Sequence, residues 1–508
     1  MPSEFSFICF FVIVSLAYVA VLRLVKSTAR QPSLPPGPKG IPFVGNIDIP
    51  GEYQWLYFSR LRQQYGDIVS LKVFGRLLIM ISTRPLMHEI AIKRHENYAD
   101  RPYFYSFEAA GWDKATALAN GPAWKDHRRY MNRLFGTRQL MQRFYGVEMK
   151  EVRKFMRNIL KDAEDLDHHT RHFAGAVILQ MAYGFKAQEG TDPFIEKVDE
   201  AMAQFSDLLK LGTFMVDFLP WLRYLPDWLP GMGWKKTLQH YYQTTQEMKT
   251  VPFDTVERQL KAGNAAHSYV ADLLGSEDFV PKQKEAIKDS ASSLYAGGAD
   301  TSVSQIHGFF LIMMIEQDVQ GKAQAEIDEV VGRDRLPEYA DRDRLPYVEA
   351  IVKEITRFHT VIPGGGSRHV MKDDILEGYF IPKGSVIMNN LWEMCHDPNM
   401  YPDPFKFKPE RFLGAQPEFN PRDISFGFGR RVCPGQLMAD ATTWLCCVMT
   451  LALFDIKPTK GSPTEFSFAE GGSFTGDPIS RPSPFKADIR PRSAKAEALI
   501  RSIDFEAD

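Results

Sequence analysis

Apolar and polar residues alternate with a period of two along residues 68–74 and 77–82, which predicts two strands early in the chain. From about residue 122 the period changes. Residues 124–135 and 149–163 set apolar side chains three or four apart between charges, the spacing of helices with one buried face. The same spacing returns over 282–331, as one long helix followed by another, and over 348–359. Residues 378–388 read as a turn and a strand around a tight Pro382-Lys383-Gly384 loop. Prolines and aromatics without periodicity make 392–429 a meander, and a last helix is expected from about 435 to 454. Residues 205–231, rich in Trp, Phe, Leu and Pro, suggest short helices and a mobile apolar cap. The fold class expected is mainly α with a smaller β portion.

The N-terminal pattern is of another kind. Residues 5–22 form an apolar run just long enough to cross a bilayer as a helix. Glu4 precedes it and Arg23, Lys26 and Arg30 follow, so the positive-inside rule puts the C-terminal side in the cytosol. A cleaved signal peptide carries its basic residues before the apolar core, so the run is read as a retained anchor. Residues 34–46, LPPGPKGIPFVGN, exclude helix and favour a stiff, extended connector. The organisation expected is an anchor with its basic flank over 1–30, a Pro/Gly-rich hinge over 31–46 and one catalytic domain over 47–508. No interior Gly/Ser linker or internal repeat divides that domain.

Composition narrows the picture modestly. The 508 residues are 44% hydrophobic and 24% charged, ample for a large core. A net charge of −2 offers no global field for nucleic acid. Cys9, Cys395, Cys433, Cys446 and Cys447 are too few for a disulfide framework, which suits a reducing compartment. Cys395 and the adjacent Cys446 and Cys447 read as buried thiols beside or on apolar stretches. Only Cys433 has neighbours that ask for chemistry.

Those neighbours are residues 426–435, FGFGRRVCPG. A metal-bound thiolate needs close backbone approach, amide donors to the sulfur and exclusion of water. Gly427, Gly429 and Gly435 remove side chains where a flat cofactor would press on the chain. Pro434 and Gly435 open the last helix, whose N-terminal dipole favours the thiolate. Arg431, two residues before the sulfur, can reach an acidic edge of such a cofactor. The spacing F-x-x-G-x-R-x-C-x-G, with Phe426, Gly429, Arg431, Cys433 and Gly435 at its fixed positions, resembles the haem-binding loop of the cytochrome P450 family.

Further motifs repeat that resemblance in the family's order. Glu354-Ile355-Thr356-Arg357 matches E-x-x-R, and Pro409-Glu410-Arg411-Phe412 matches P-E-R-F. Residues three apart share a helix face, so Glu354 and Arg357 can pair. The resemblance adds Arg411 to a buried structural network. Trp124 to Arg128 resembles W-x-x-x-R, and Arg368 falls where the family sets a cation; both are expected at haem propionates. Residues 296–302, AGGADTS, resemble the distal-helix motif, with Asp300 and Thr301 as the expected acid and hydroxyl of a proton relay.

The resemblance implies the family's mostly helical fold after one N-terminal transmembrane helix, and haem b as cofactor with Cys433 as axial ligand. It implies insertion of one atom of O2 into a lipophilic small molecule. Electrons would come from NADPH through a separate NADPH–cytochrome P450 reductase, with cytochrome b5 as a further donor. The basic residues Lys125, Arg128, Arg129 and Arg133 form a candidate docking face. The placement implied is the endoplasmic reticulum membrane with a cytosolic catalytic domain, and residues 216–231 look like fungal members used in secondary metabolism or detoxification. A reductase-independent isomerase or dehydratase, and a non-catalytic haem sensor or carrier, are the alternatives. Gly364-Gly365-Gly366 departs from the bulky pocket residues of many relatives, so the pocket segments 111–119, 205–219, 293–296, 362–368 and 474–479 indicate a lipophilic substrate without identifying it.

Overall fold

The two early strands meet in a tight hairpin. In the computed structural model, which describes residues 32–503, β1 (Ile68–Val73) pairs antiparallel with β2 (Arg76–Ile81), Val73 opposite Arg76. Phe74 and Gly75 between them have φ of 45° and 84°, the left-handed pair whose twist suits a two-residue connection. Later in the chain come β3 (Arg368–His369), β4 (Asp374–Leu376), β5 (Tyr379–Ile381) and β6 (Val386–Asn389). β6 joins β2 in parallel and β3 antiparallel, so the sheet runs β1-β2-β6-β3, while β4 and β5 pair separately. The Pro382-Lys383-Gly384 loop divides β5 from β6. A third small sheet pairs β7 (Phe454–Pro458) with β8 (Ala487–Pro491).

The Pro-rich segment lies along this sheet. Ser70 donates its N–H to the Pro36 carbonyl and its hydroxyl to the Pro35 carbonyl. A Cβ on Gly37 would sit 1.9 Å from the Ser70 carbonyl oxygen, so the approach requires glycine. The anchor read at 5–22 lies outside the described residues. Among those described, one helix, Gln436–Leu453, is long and apolar enough to cross a bilayer, but it is largely buried within the protein.

Helices dominate the rest. The expected pair over 282–331 appears as Lys284–Ile315 and Gln317–Val330, broken at Glu316 with φ −94° and ψ 67°. Gly121–Phe135, Tyr145–Lys161, Pro346–Phe358 and Gln436–Leu453 match the other helical periods. Leu166–Tyr183 shows little helical periodicity because it packs against the long helix and Tyr145–Lys161 and buries most of its sides. It ends at Gly184, φ 77°, and the Asp192 side chain then caps the helix Pro193–Leu209 by accepting from Phe194 and Ile195 N–H. Short 3-10 turns follow at Met215–Asp217 and Pro220–Tyr224, with Trp221, Tyr224 and Trp228 exposed. The helix Trp234–Lys261 follows them in the chain.

Candidate active site

A cavity of about 480 Å³ lies between the middle of the Lys284–Ile315 helix and the cysteine loop. All five segments picked from the sequence contribute to its wall, which carries Gly297, Gly298 and Thr301 from the helix and Phe426, Gly427, Cys433 and Gly435 from the loop. Residues sequence reasoning left out, Trp55, Phe58 and Arg101 to Phe107 in part, complete the wall.

The cysteine loop is held by its backbone. Cys433 N–H donates to the Phe426 carbonyl at 2.8 Å, closing the loop around the sulfur. Gly429 has φ 62°, and a Cβ there would meet the Ala91 carbonyl oxygen at 2.3 Å, so no other residue fits. Cys395, Cys446 and Cys447 are buried free thiols, whereas Cys433 is accessible, and the surface it presents is cavity wall. Burial pushes its thiol up, while the Gly435 N–H and the Arg128 guanidinium pull the other way. A thiolate at this depth is stabilised far more by a bound cation than by these two groups alone.

Four guanidinium groups gather at one side of the cavity: Arg101, Arg128, Arg368 and Arg431. Among the described residues none of them has a carboxylate in an ion pair, and they donate chiefly to backbone carbonyls. Arg128 donates to Val432 at 2.7 Å, Arg368 to Phe428 at 2.9 Å, and Arg431 to Ala99 at 2.7 Å and Ala119 at 2.8 Å. The Arg368 Nε–H has no partner. Burial pushes Arg368 and Arg431 down to about 10, and burial also lowers Arg101, with those two neighbours adding repulsion. Trp124 lies against Arg431, whose guanidinium carbon is 4.4 Å from a Trp124 ring centroid. So many unneutralised cations around one cavity call for a multiply charged anion. A flat dianionic cofactor ligated by a thiolate fits this cradle. Arg101 was missed because a lone Arg-Pro pair after two strands carries no mark of burial. Lys125, Arg129 and Arg133 are exposed, so the basic face divides, with Arg128 turned to the cavity.

Behind the cysteine loop, Glu354 accepts from Arg357 Nε at 2.7 Å and Nη2 at 2.8 Å, and from Arg411 Nε at 3.1 Å. Its Oε1 also accepts the Lys408 N–H at 2.9 Å. Arg357 reaches the Cys395 and Pro404 carbonyls, and Arg411 reaches Pro402 and Glu418. The three side chains thus tie the Pro346–Phe358 helix to the meander.

On the distal wall, Thr301 Oγ donates to the Gly297 carbonyl at 2.7 Å and faces the cavity. A Cβ on Gly297 would meet nothing within 4 Å, which leaves a groove beside that hydroxyl. The structure separates the acid from its neighbour. Asp300 is buried, does not line the cavity and is ion-paired with Arg481, a residue the sequence reading did not single out. Successive helix positions point about 100° apart, and here that turn takes Asp300 off the wall while Thr301 stays on it.

A thiol on one wall of the cavity, a hydroxyl-bearing helix on another and a cluster of unneutralised guanidinium groups fit a haem-thiolate protein. Residues 35–479 match the cytochrome P450 family. The chain is 42% identical over 496 residues, 96% of each protein, to cytochrome P450 monooxygenase 208 of Postia placenta. It is 37% identical to cytochrome P450 monooxygenase claR of Ampulloclitocybe clavipes, covering 96% of this chain and 92% of the relative. It is 34% identical to O-methylsterigmatocystin oxidoreductase of Aspergillus flavus, covering 95% and 92%. The chain belongs to the cytochrome P450 family; it is a monooxygenase whose cofactor is haem.

Proposed function

We propose that this protein oxygenates a lipophilic small molecule, taking electrons from NADPH through a separate membrane-bound reductase, in fungal secondary metabolism or detoxification. The observation that carries the reading is the position of Thr301 on the wall of the same cavity that Cys433 lines. Haem bound there supplies the activation of O2. Cys433 would hold its iron through the thiolate, Trp124, Arg128, Arg368 and Arg431, with Arg101 beside them, would hold its propionates, and Phe426, Gly429 and Gly435 would shape the loop. Thr301 holds and passes a proton at the distal side, and Asp300 stands behind it as a reserve acid that must leave Arg481 to act. The apolar wall from Phe104, Phe107, Leu118, Met202, Leu208 and Ile479 excludes water and suits a lipophilic ligand. Cytochrome b5 is a second candidate electron donor to the exposed Lys125, Arg129 and Arg133 face. The test is untargeted metabolite profiling of a host co-expressing chain and reductase against a Cys433→Ala control. A product absent from the control and dependent on NADPH supports the reading; product formed without reductase favours an isomerase or dehydratase, and no product at all favours a sensor or carrier.

The same proposal includes an anchor in the endoplasmic reticulum membrane, resting on the 5–22 run and the basic residues after it. Deleting residues 1–30 should release most of the protein from microsomes with its haem retained, as read by sedimentation and absorbance. Residual binding would be attributed to exposed Trp221, Tyr224 and Trp228. Protease protection of the catalytic part in sealed microsomes would show the orientation to be wrong.

A further inference from the structure

Glu148 and Glu354 are both fully buried carboxyl groups, but only Glu354 is met by guanidinium groups. Among the described residues Glu148 forms no ion pair and accepts two hydroxyl hydrogen bonds, one from Tyr339 and one from Thr442 at 2.7 Å. It lies in the first turn of the helix Tyr145–Lys161, and Tyr339 opens the 3-10 turn Tyr339–Arg344. Thr442 belongs to the helix Gln436–Leu453, which Cys433 precedes. Burial pushes the Glu148 carboxyl up to about 7, against the pull of the two hydroxyls. A proton acceptor that no cation satisfies is thus held at the phenol oxygen of one tyrosine.

The Tyr339 ring joins two others. It stacks on Tyr145 with centroids 3.7 Å apart and planes 20° from parallel, and it faces Trp444 at 5.8 Å and 29°. Tyr145 and Tyr339 are partly buried, whereas Trp444 is fully buried. Trp444 follows Asp440 by four residues, so the two share a helix face one turn apart, and Asp440 lines the cavity. The row therefore runs outwards from the cysteine helix. The Arg342 guanidinium lies 5.4 Å from the Trp444 ring centroid, and its charge is met by Glu349 at 2.8 Å and Asp440 at 2.6 Å. The Trp444 N–H has no acceptor among the described residues. Loss of an electron from Trp444 cannot be balanced there by loss of a proton. At Tyr339 it can, because oxidation makes a phenol strongly acidic and Glu148 already accepts its hydrogen bond.

We infer that Tyr339 is a redox-active tyrosine: in the absence of substrate it gives up one electron through Trp444 towards the haem while its phenolic proton passes to Glu148. This goes beyond oxygenation of a substrate and uses the haem only as the place where the oxidant acts. The oxidant is hydrogen peroxide, which takes two electrons, and two protons from solvent, to become two molecules of water. Each passage along the row supplies one of those electrons; the Tyr339 O–H bond breaks and a Glu148 O–H bond forms. An external one-electron donor such as ascorbate restores the row at Tyr145, and the proton returns from Glu148 to Tyr339. The row so discharges oxidising equivalents that would otherwise attack the haem and the cavity wall.

The test mixes the haem-loaded full chain with hydrogen peroxide, without substrate or reductase, and follows organic radicals by electron paramagnetic resonance after rapid freezing. Wild type should give a tyrosyl signal, identified by its narrowing when the protein carries ring-deuterated tyrosine. Tyr339→Phe, which keeps the ring stack, should lose that signal, and its haem should bleach faster under peroxide. Glu148→Gln, which keeps the shape and an acceptor but is no base, should form the signal about 10²-fold more slowly, the low end for a positioned proton transfer. Haem content and the reduced carbon monoxide spectrum should match wild type in both variants, which sets loss of the radical apart from loss of the fold. A wild type without a tyrosyl signal, or a signal of full size in Tyr339→Phe, overturns the inference. If Tyr339→Phe does not take up haem, Glu148→Gln decides, and an unchanged rate of radical formation there overturns it as well. A protein that obeys this pattern yet gives no NADPH-dependent product keeps the redox tyrosine and loses the oxygenase reading.

Discussion

Thr301→Ala is expected to keep haem, ligand binding and NADPH consumption while product falls by about 10²–10⁴-fold, the scale of a positioned proton transfer. The hydroxyl lies on the cavity wall and donates a hydrogen bond to the Gly297 carbonyl at 2.7 Å, which leaves its lone pairs free to accept. A hydroxyl so held can take a proton from behind and turn to deliver its own into the groove. Asp300 does not stand ready in its place, because it is buried against Arg481 and off the cavity wall. Electrons that enter without an ordered proton leave as hydrogen peroxide. Product formed and peroxide released per NADPH oxidised give the readout, and Thr301→Ser, which keeps the hydroxyl, should restore most of the coupling. Unchanged coupling in Thr301→Ala would remove this residue from the chemistry. Asp300→Asn should slow the whole cycle instead, since the acid lies further back in the supply.

Glu354→Ala should yield a protein that cannot hold haem, rather than a slow enzyme. Glu354 and Arg357 have no exposed side-chain surface, and Arg411 has 2%. Charges so deep were costly to desolvate, and the carboxylate compensates two of them at once. Removing it leaves Arg357 with backbone carbonyls alone, at a cost of roughly 3–5 kcal/mol. Arg411 keeps Glu418 at 2.7 Å and is less affected. Total stability of about 5–15 kcal/mol leaves little margin for that loss, and the meander that backs the cysteine loop is what would come loose. Haem absorbance per protein and the thermal midpoint decide the matter. A haem-loaded, fully active Glu354→Ala protein would contradict the structural role.

The contrast between Glu354 and Asp300 shows where sequence sufficed. Glu354 and Arg357 are three apart on one helix, so their pairing follows from helix geometry. Arg411 joined them through a motif that fixes chain position. The strands β1 and β2 and the helices Gly121–Phe135, Tyr145–Lys161 and Pro346–Phe358 were legible because each has a polar and an apolar side, whereas Pro193–Leu209 and Trp234–Lys261 went unread. Leu166–Tyr183 was not legible either, since a helix enclosed by neighbours shows no polar stripe. Arg481 and Arg101 were invisible for a related reason. Their partners lie 181 and 266 residues away along the chain, and no local pattern encodes such a meeting.

The most direct measurement is the absorbance of the reduced carbon monoxide complex in wild type and in Cys433→His. Wild type should show the red-shifted Soret band that thiolate ligation produces, since Cys433 is the one described cysteine facing the cavity. Cys433→His should lose that band, with or without haem retained. The same red-shifted band in the variant would show that another group ligates the iron and that Cys433 does not.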